Sequence, residues 1–170
     1  MERIAKFELV TRSQFIQDFM DTFPDMNEEH ASRAYAALTL PVRATTGSAG
    51  YDFRSTRDFT LAPGETIKIP TGIRVRMRED YCLMVFPRSG LGFRYRLQMN
   101  NTVGIIDSDY YNSDNEGHIF IKITNDSKEG KSVTLKQGDA FAQGIFVSFG
   151  ITEDDEVSEL RNGGLGSTSK

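Results

Sequence analysis

The chain is poor in the residues that hold small or metal-dependent folds together: of 170 residues one is cysteine (Cys82), none is tryptophan and two are histidine (His30 and His118). A lone thiol cannot close an internal disulfide, and one cysteine with two histidines falls short of a structural zinc site. Cys82 lies within an apolar run and reads as core, and His118 is too far from any serine to suggest a triad. No apolar run approaches the roughly 20 residues of a membrane helix. At the start, Glu2, Arg3, Lys6 and Glu8 interrupt the stretch that an export signal would need, so a reducing, cytoplasmic setting is expected. A basic excess is missing too: the formal net charge is -4, which argues against general nucleic-acid binding. What remains, with 38% hydrophobic residues, is enough for one domain with a real core, and the whole chain, 1–170, is read as one.

Two helices are expected first. In 11–23, Phe15, Ile16, Phe19, Met20 and Phe23 recur at helical spacing, Thr11 and Gln14 match a capping box, and Pro24 ends the segment. In 27–38, Asn27 suits an N-cap and Ala31, Ala34, Tyr35 and Leu38 form the apolar face. This 11–38 segment is either packing for the remainder of the fold or a surface for another protein.

Short alternating runs follow, at 51–55, 59–61, 66–69, 73–77, 81–86 and 97–99, then around Ile119, Ile121 and Ile123, at Val133 and Leu135, and over 141–149. Another strand-like run opens the chain at 7–10, and Pro63-Gly64 and Pro70-Thr71-Gly72 are turns. Many short strands at regular spacing imply an all-β sandwich or barrel of jelly-roll character. Arg74, Arg76 and Arg78 alternate with Ile73, Val75 and Met77, so one face is buried and the arginine face is expected to be solvated. The last stretch, 161–170, holds Gly163, Gly164 and Gly166 without apolar periodicity and is expected to be a mobile arm.

Five segments gather glycine, hydroxyl, arginine and acid residues where strands end: TTGSAGYDF (45–53), PRSGLG (87–92), NNTVGIIDSDYY (100–111), GDAFAQ (138–143) and RNGGLGST (161–168). Arg88-Ser89-Gly90 can cradle a phosphate through amides, a hydroxyl and a guanidinium, or can be a plain turn. The terminal glycine cluster lacks the GK[ST] of a Walker loop, although Arg161, Ser167 and Thr168 suit an anion. Asp107 follows an apolar stretch and is a candidate general base; on spacing alone, a turn hydrogen bond suits it better.

In this order and with this content, the five segments resemble the motifs of the homotrimeric dUTPases, with PRSGLG, GIIDSDY and GGLGST the most diagnostic. The resemblance covers about 41–170. It implies a jelly-roll β-barrel and Mg2+-assisted attack of water on the α-phosphorus of dUTP, giving dUMP and pyrophosphate. Carried over by residue, Asp107 activates the water and Tyr110 packs against deoxyribose, where its ring excludes a 2′-hydroxyl by clash. Asn101, Gly104 and Ile105 line a uracil pocket, where cytosine would leave a polar group unpaired at a cost of about 1–3 kcal/mol. Arg88, Ser89, Gly90 and Gln143 contact phosphate, and Asp52 lies near metal-bound water, with no protein group ligating the metal directly. Arg161, Leu165, Gly166, Ser167 and Thr168 belong to an arm that closes over the γ-phosphate. Sites assembled from several subunits, and hence a homotrimer, are implied.

The chain departs from the family pattern in four places, one being the helical segment 11–38, which has no counterpart in the minimal family member. Leu165 stands where most members have a phenylalanine that stacks on uracil, Ser169 replaces a glycine, and an extra stretch near 111–116 separates Tyr110 from Gly117. That insertion resembles variants of Gram-positive bacteria and their phages. The rival enzyme reading is a dCTP deaminase, a fold relative; the rival from another class is a nucleotide-sensing regulator that binds a protein partner.

Overall fold

In the computed structural model residues 1–158 are described; the arm positions Arg161, Leu165, Gly166, Ser167 and Thr168 lie outside the described residues. Along the chain run β1 (Ala5–Leu9), α1 (Arg12–Thr22), α2 (Glu28–Ala36), β2 (Val42–Arg43), β3 (Tyr51–Arg54), β4 (Phe59–Leu61), β5 (Thr66–Pro70) and β6 (Ile73–Met77). Then come β7 (Tyr81–Pro87), α3 (Ser89–Tyr95), β8 (Leu97–Met99), β9 (Gly104–Ile106), a 3-10 turn (Ser108–Asn112), β10 (Phe120–Asn125), β11 (Val133–Leu135) and β12 (Ala140–Ser148).

The strands form small antiparallel sheets, with orders β2-β3-β12-β7-β9, β5-β10-β8, β1-β6 and β4-β11. Sequence neighbours are seldom sheet neighbours, as a jelly-roll requires. The expected alternation is present in β10, where Ile121 and Ile123 are buried and Lys122 is exposed, and in β6, where Ile73, Val75 and Met77 are buried.

Both helices pack on the strands. Phe15, Phe19 and Phe23 from the first helical segment, with Ala31 and Ala34 from α2, belong to the same apolar cluster as Val10, Ile69, Ile73 and Phe141. A lone hairpin of helices has too little apolar area to stand by itself, so this shared core is what keeps them helical.

Thr11 caps α1, its hydroxyl accepting from the Gln14 amide N–H at 3.3 Å, but the expected capping box does not close. The Gln14 side chain turns along the helix to Asp18 (3.0 Å). A carboxylate from far along the chain replaces it: Glu116 accepts from both the Thr11 N–H and its hydroxyl, each at 2.7 Å. In α2, Asn27 does cap, and the reciprocal partner is the His30 ring.

Two further expectations are corrected. Arg88-Ser89-Gly90 is not a plain turn, because Ser89–Tyr95 winds into α3, a helix with no buried residue. Its apolar residues are too few and too short in register to have signalled one. The arginine row is only partly solvated. Arg76 and Arg78 are exposed, Arg78 pairing with Asp80 at 2.6 Å, but the Arg74 guanidinium lies 3.6 Å from the centre of the Tyr111 ring and donates to the Tyr111 carbonyl at 2.7 Å. Tyr111 in turn donates its hydroxyl to Glu8 on β1 at 2.6 Å. The inserted stretch is therefore fastened to the N-terminal segment at both Glu8 and Thr11.

Partial burial raises the Glu116 acid, yet the two Thr11 hydrogen bonds outweigh it and hold the carboxyl below its ordinary value. A depressed carboxyl contributes stability that is complete above its unfolded pKa and is lost as the medium becomes more acid. Urea midpoints of the native chain should thus fall on acidification below about pH 5, and Glu116→Gln should flatten part of that decline. Cys82 offers a second check. Burial first, and the Asp107 carboxylate second, push its thiol upward. Native protein at neutral pH should resist iodoacetamide at Cys82 for hours and become labelled promptly in denaturant, as followed by mass spectrometry.

Candidate active site

The centre of the largest sheet gathers the first group of candidate residues. On β12, Gln143 lies opposite Asp52 of β3 on one side and Phe86 of β7 on the other. Its side-chain amide donates to the Pro87 carbonyl at 3.3 Å. Just past Pro87, Arg88 turns its Nε to within 3.4 Å of Asp52 Oδ1, and the two side chains are 46% and 17% exposed. Asp52 is thus held by a cation while most of it is shielded from water. Gly50 makes room for this arrangement, because a Cβ there would sit 2.5 Å from Gln143 Oε1. Sequence reading missed Gly50; its signal was position, two residues before Asp52 in a glycine-bearing segment. Arg88, Ser89 and Gly90 are all exposed, so their polar groups face outward at this cluster.

The second group is on the turn between β8 and β9. Asn101 is exposed, and Thr102 adopts a left-handed φ of 67°, with its N–H bonded to the Met99 carbonyl at 3.1 Å. That tight reversal also bonds the Val103 N–H to the Asn101 carbonyl at 2.7 Å and the Asn100 N–H to the Lys122 carbonyl at 3.0 Å. Gly104 pairs with Val85 on β7, and a Cβ on it would stand 3.3 Å from the Val85 Cβ, so the small residue lets the turn lie close to the sheet. Ile105 is 49% exposed, an apolar ledge at the surface.

Asp107 follows β9 directly. It is half-buried, extended at φ -79° and ψ 158°, and heads the 3-10 turn, whose Tyr110 N–H bonds to the Asp107 carbonyl at 3.3 Å. The Tyr110 ring is only 8% exposed and its hydroxyl donates to the His118 carbonyl at 2.7 Å. A half-shielded carboxylate at a strand end has the character of a base for an activated water.

The two groups are apart within one chain. Asp107 neighbours Cys82 near the start of β7, whereas Arg88 follows its far end. At about 3.3 Å per residue the strand carries them roughly 20 Å from each other. Asp52, Arg88 and Gln143 form one cluster, Asp107 and Tyr110 another, with Asn101 on the turn before β9 and Gly104 and Ile105 within β9, which leads into the second.

The dUTPase family profile matches residues 36–169. The deoxyuridine 5′-triphosphate nucleotidohydrolase of Lactococcus lactis is 40% identical over 136 residues, covering 78% of this chain and 89% of its own. That of Methylobacillus flagellatus is 40% identical over 139 residues, with 77% and 88% covered. Among solved structures, the dUTPase of Streptococcus mutans superimposes with a TM-score of 0.63 at 32% identity, covering 86% of this chain and 98% of that one. A dUTPase from phage phi11 of S. aureus, described as showing a species-specific insert, shares the fold at TM-score 0.63 and 21% identity, with 93% and 98% covered. With the jelly-roll strand order and the clusters at Asp52 and Asp107, these matches establish that the chain belongs to the dUTPase family, the enzymes that hydrolyse dUTP.

Proposed function

We propose that this chain hydrolyses dUTP by drawing a proton from water at Asp107, so that the oxygen attacks the α-phosphorus and pyrophosphate leaves with dUMP as the second product. The observation that carries this reading is the placement of Asp107, half-buried just past β9 and at the head of the 3-10 turn that carries the anchored Tyr110. A base of this kind contributes about 10²–10⁴-fold to a rate. The Tyr110 ring stands against C2′ of the sugar and leaves no space for a hydroxyl. Backbone groups of the 100–103 turn, with Asn101, Gly104 and Ile105, receive the uracil edge and face. Arg88, Ser89, Gly90 and Gln143 hold the phosphate chain.

The roughly 20 Å between Asp107 and Arg88 supports a site completed by a neighbouring copy. In a homotrimer, Asp107 and Tyr110 of one subunit meet the Arg88 cluster of another, and residues 161–168, with Arg161, Leu165, Gly166, Ser167 and Thr168, close over the γ-phosphate.

The donor chemistry fits magnesium that arrives with its substrate. No group of three His, Cys, Asp or Glu that could cage a metal occurs among the described residues. Mg2+ is commonly bound through one or two carboxylates, waters and substrate phosphates, and Asp52, held by Arg88 beside Gln143, is the carboxylate at hand, through water. A phosphate-bound Mg2+ neutralises charge on the triphosphate and orients it. The chain's own work is then to hold the phosphates at Arg88, Ser89 and Gln143 and to take the proton at the Asp107 carboxylate.

Asp107→Asn should bind a nonhydrolysable dUTP analogue in calorimetry with affinity near that of the native chain, while kcat drops by about 10²–10⁴-fold; a near-native rate removes Asp107 from its role. Removing 161–170 should lower kcat by about tenfold or more and leave the mass in solution at three chains, as expected when a closing segment, not the scaffold, is lost. Pyrophosphate release from a panel of nucleoside triphosphates, with and without Mg2+, should single out dUTP and require the metal.

A further inference from the structure

The stretch between Asp107 and β10 is folded around one hydroxyl. Tyr110 Oη donates to the His118 carbonyl at 2.7 Å and accepts from Asn115 Nδ2 at 2.9 Å. Asn115 is fixed in turn, with Oδ1 accepting from the Gly117 N–H at 3.2 Å and its carbonyl accepting from the His118 N–H at 3.1 Å. Gly117, at φ 71°, lets the insertion double back, since a Cβ there would lie 2.7 Å from the Tyr110 carbonyl oxygen.

His118 carries this arrangement inward. Its ring is wholly buried, and Nε2 accepts from the Gly72 N–H at 2.7 Å, which puts the ring proton on Nδ1. Nδ1 then donates to Asp18 Oδ2 on α1 at 2.6 Å. Asp18 is 15% exposed and also accepts from Gln14 at 3.0 Å. The rings of Phe15 and Phe120 flank the imidazole at 6.0 and 4.6 Å. A connected line of hydrogen bonds and covalent structure thus runs from the first helix to the Tyr110 ring, joining residues that are 100 apart in sequence at its inner end.

We propose that Asp18 and Asn115 are positioning residues for nucleotide selection: they immobilise the Tyr110 ring, Asp18 through His118 and Asn115 directly, and so set how strongly a 2′-hydroxyl is refused. The proposal rests on the reading of Tyr110 as the wall against the sugar. Exclusion by clash is only as strong as the wall is stiff, because a ring that can swing aside by an atom's radius admits the extra oxygen. Packing around a buried ring resists such a swing, and a hydroxyl held by both a donor and an acceptor resists it further. The helical segment 11–38 therefore acts on the nucleotide site as well as on the core.

The test compares kcat/KM for dUTP and UTP in the full-length assembly, with Tm recorded for each variant. Asn115→Ala and Asp18→Ala should each raise the UTP-to-dUTP ratio by about tenfold, and Asp18→Asn, which keeps an acceptor for His118, should stay near the native ratio. Tyr110→Ala should raise the ratio at least as much. An unchanged ratio in Tyr110→Ala would mean that the ring is not the sugar wall, and the proposal falls with that reading. If Tyr110→Ala relaxes selection while Asn115→Ala and Asp18→Ala only lower Tm, the Tyr110 reading stands and the positioning proposal is overturned. Should Asp18→Ala fail to fold, Asn115→Ala decides by the same ratio.

Discussion

Strand β12 is the member on which the sheet and its polar cluster depend, and Gly144 is where it is most constrained. Paired on both edges, to Tyr51 and to Val85, this residue lies so close to its neighbours that a Cβ would meet Leu83 Cδ1 at 2.8 Å and Phe53 Cε2 at 3.0 Å. Only a residue without a side chain lets the Leu83 and Phe53 side chains, from the strands on either side, close over it. Because side chains alternate along a strand, the residue before it, Gln143, faces the other way, toward Asp52 and Arg88. The close packing of one face and the polar gathering on the other have the same origin.

Asp52 and Gln143 owe their places to strands, and other polar groups owe theirs to turns. Arg88 leaves a strand into a short helix, Asp107 leaves a strand into a 3-10 turn, and Thr102 takes a left-handed conformation between two strands. Each sits on a rigid support but is free of the pairing rules inside a strand, the usual condition for side chains that must point at a ligand. Their separation along β7 follows from the same rigidity, since a strand cannot bend back over a distance of roughly 20 Å. Sheet geometry alone therefore keeps the Asp107 and Arg88 clusters apart within one chain.

Much of this was legible from local pattern. Alternation marked β6 and β10, apolar spacing marked α1 and α2, and Asn27 marked a helix start, because each depends on neighbours within a few residues. The segments holding Asp52, Arg88, Asp107 and Gln143 were legible as motifs by their order, and the pairing of Asp52 with Arg88 was not, since two strands and a register decide it. The same limit explains the capping error. Gln14 has the right spacing for Thr11, but Glu116, distant in sequence and a stronger acceptor, occupies the position. His118 carried no signal beyond its type, and its partners Asp18 and Gly72 come from other elements. The helix at Ser89–Tyr95 was missed because none of its residues is buried and no apolar stripe announces it.

The fastening of the inserted stretch to Glu8 and Thr11 has a consequence for chimeras. A designer who transplanted 111–116 into a shorter homologue would carry over Tyr111 and Glu116 but leave behind the groups that receive them, and Glu116, with its left-handed φ of 60°, would keep a strained backbone without the bonds that stabilise it here. The loop and the opening of the chain must be exchanged together. For engineering, they constitute a single cassette.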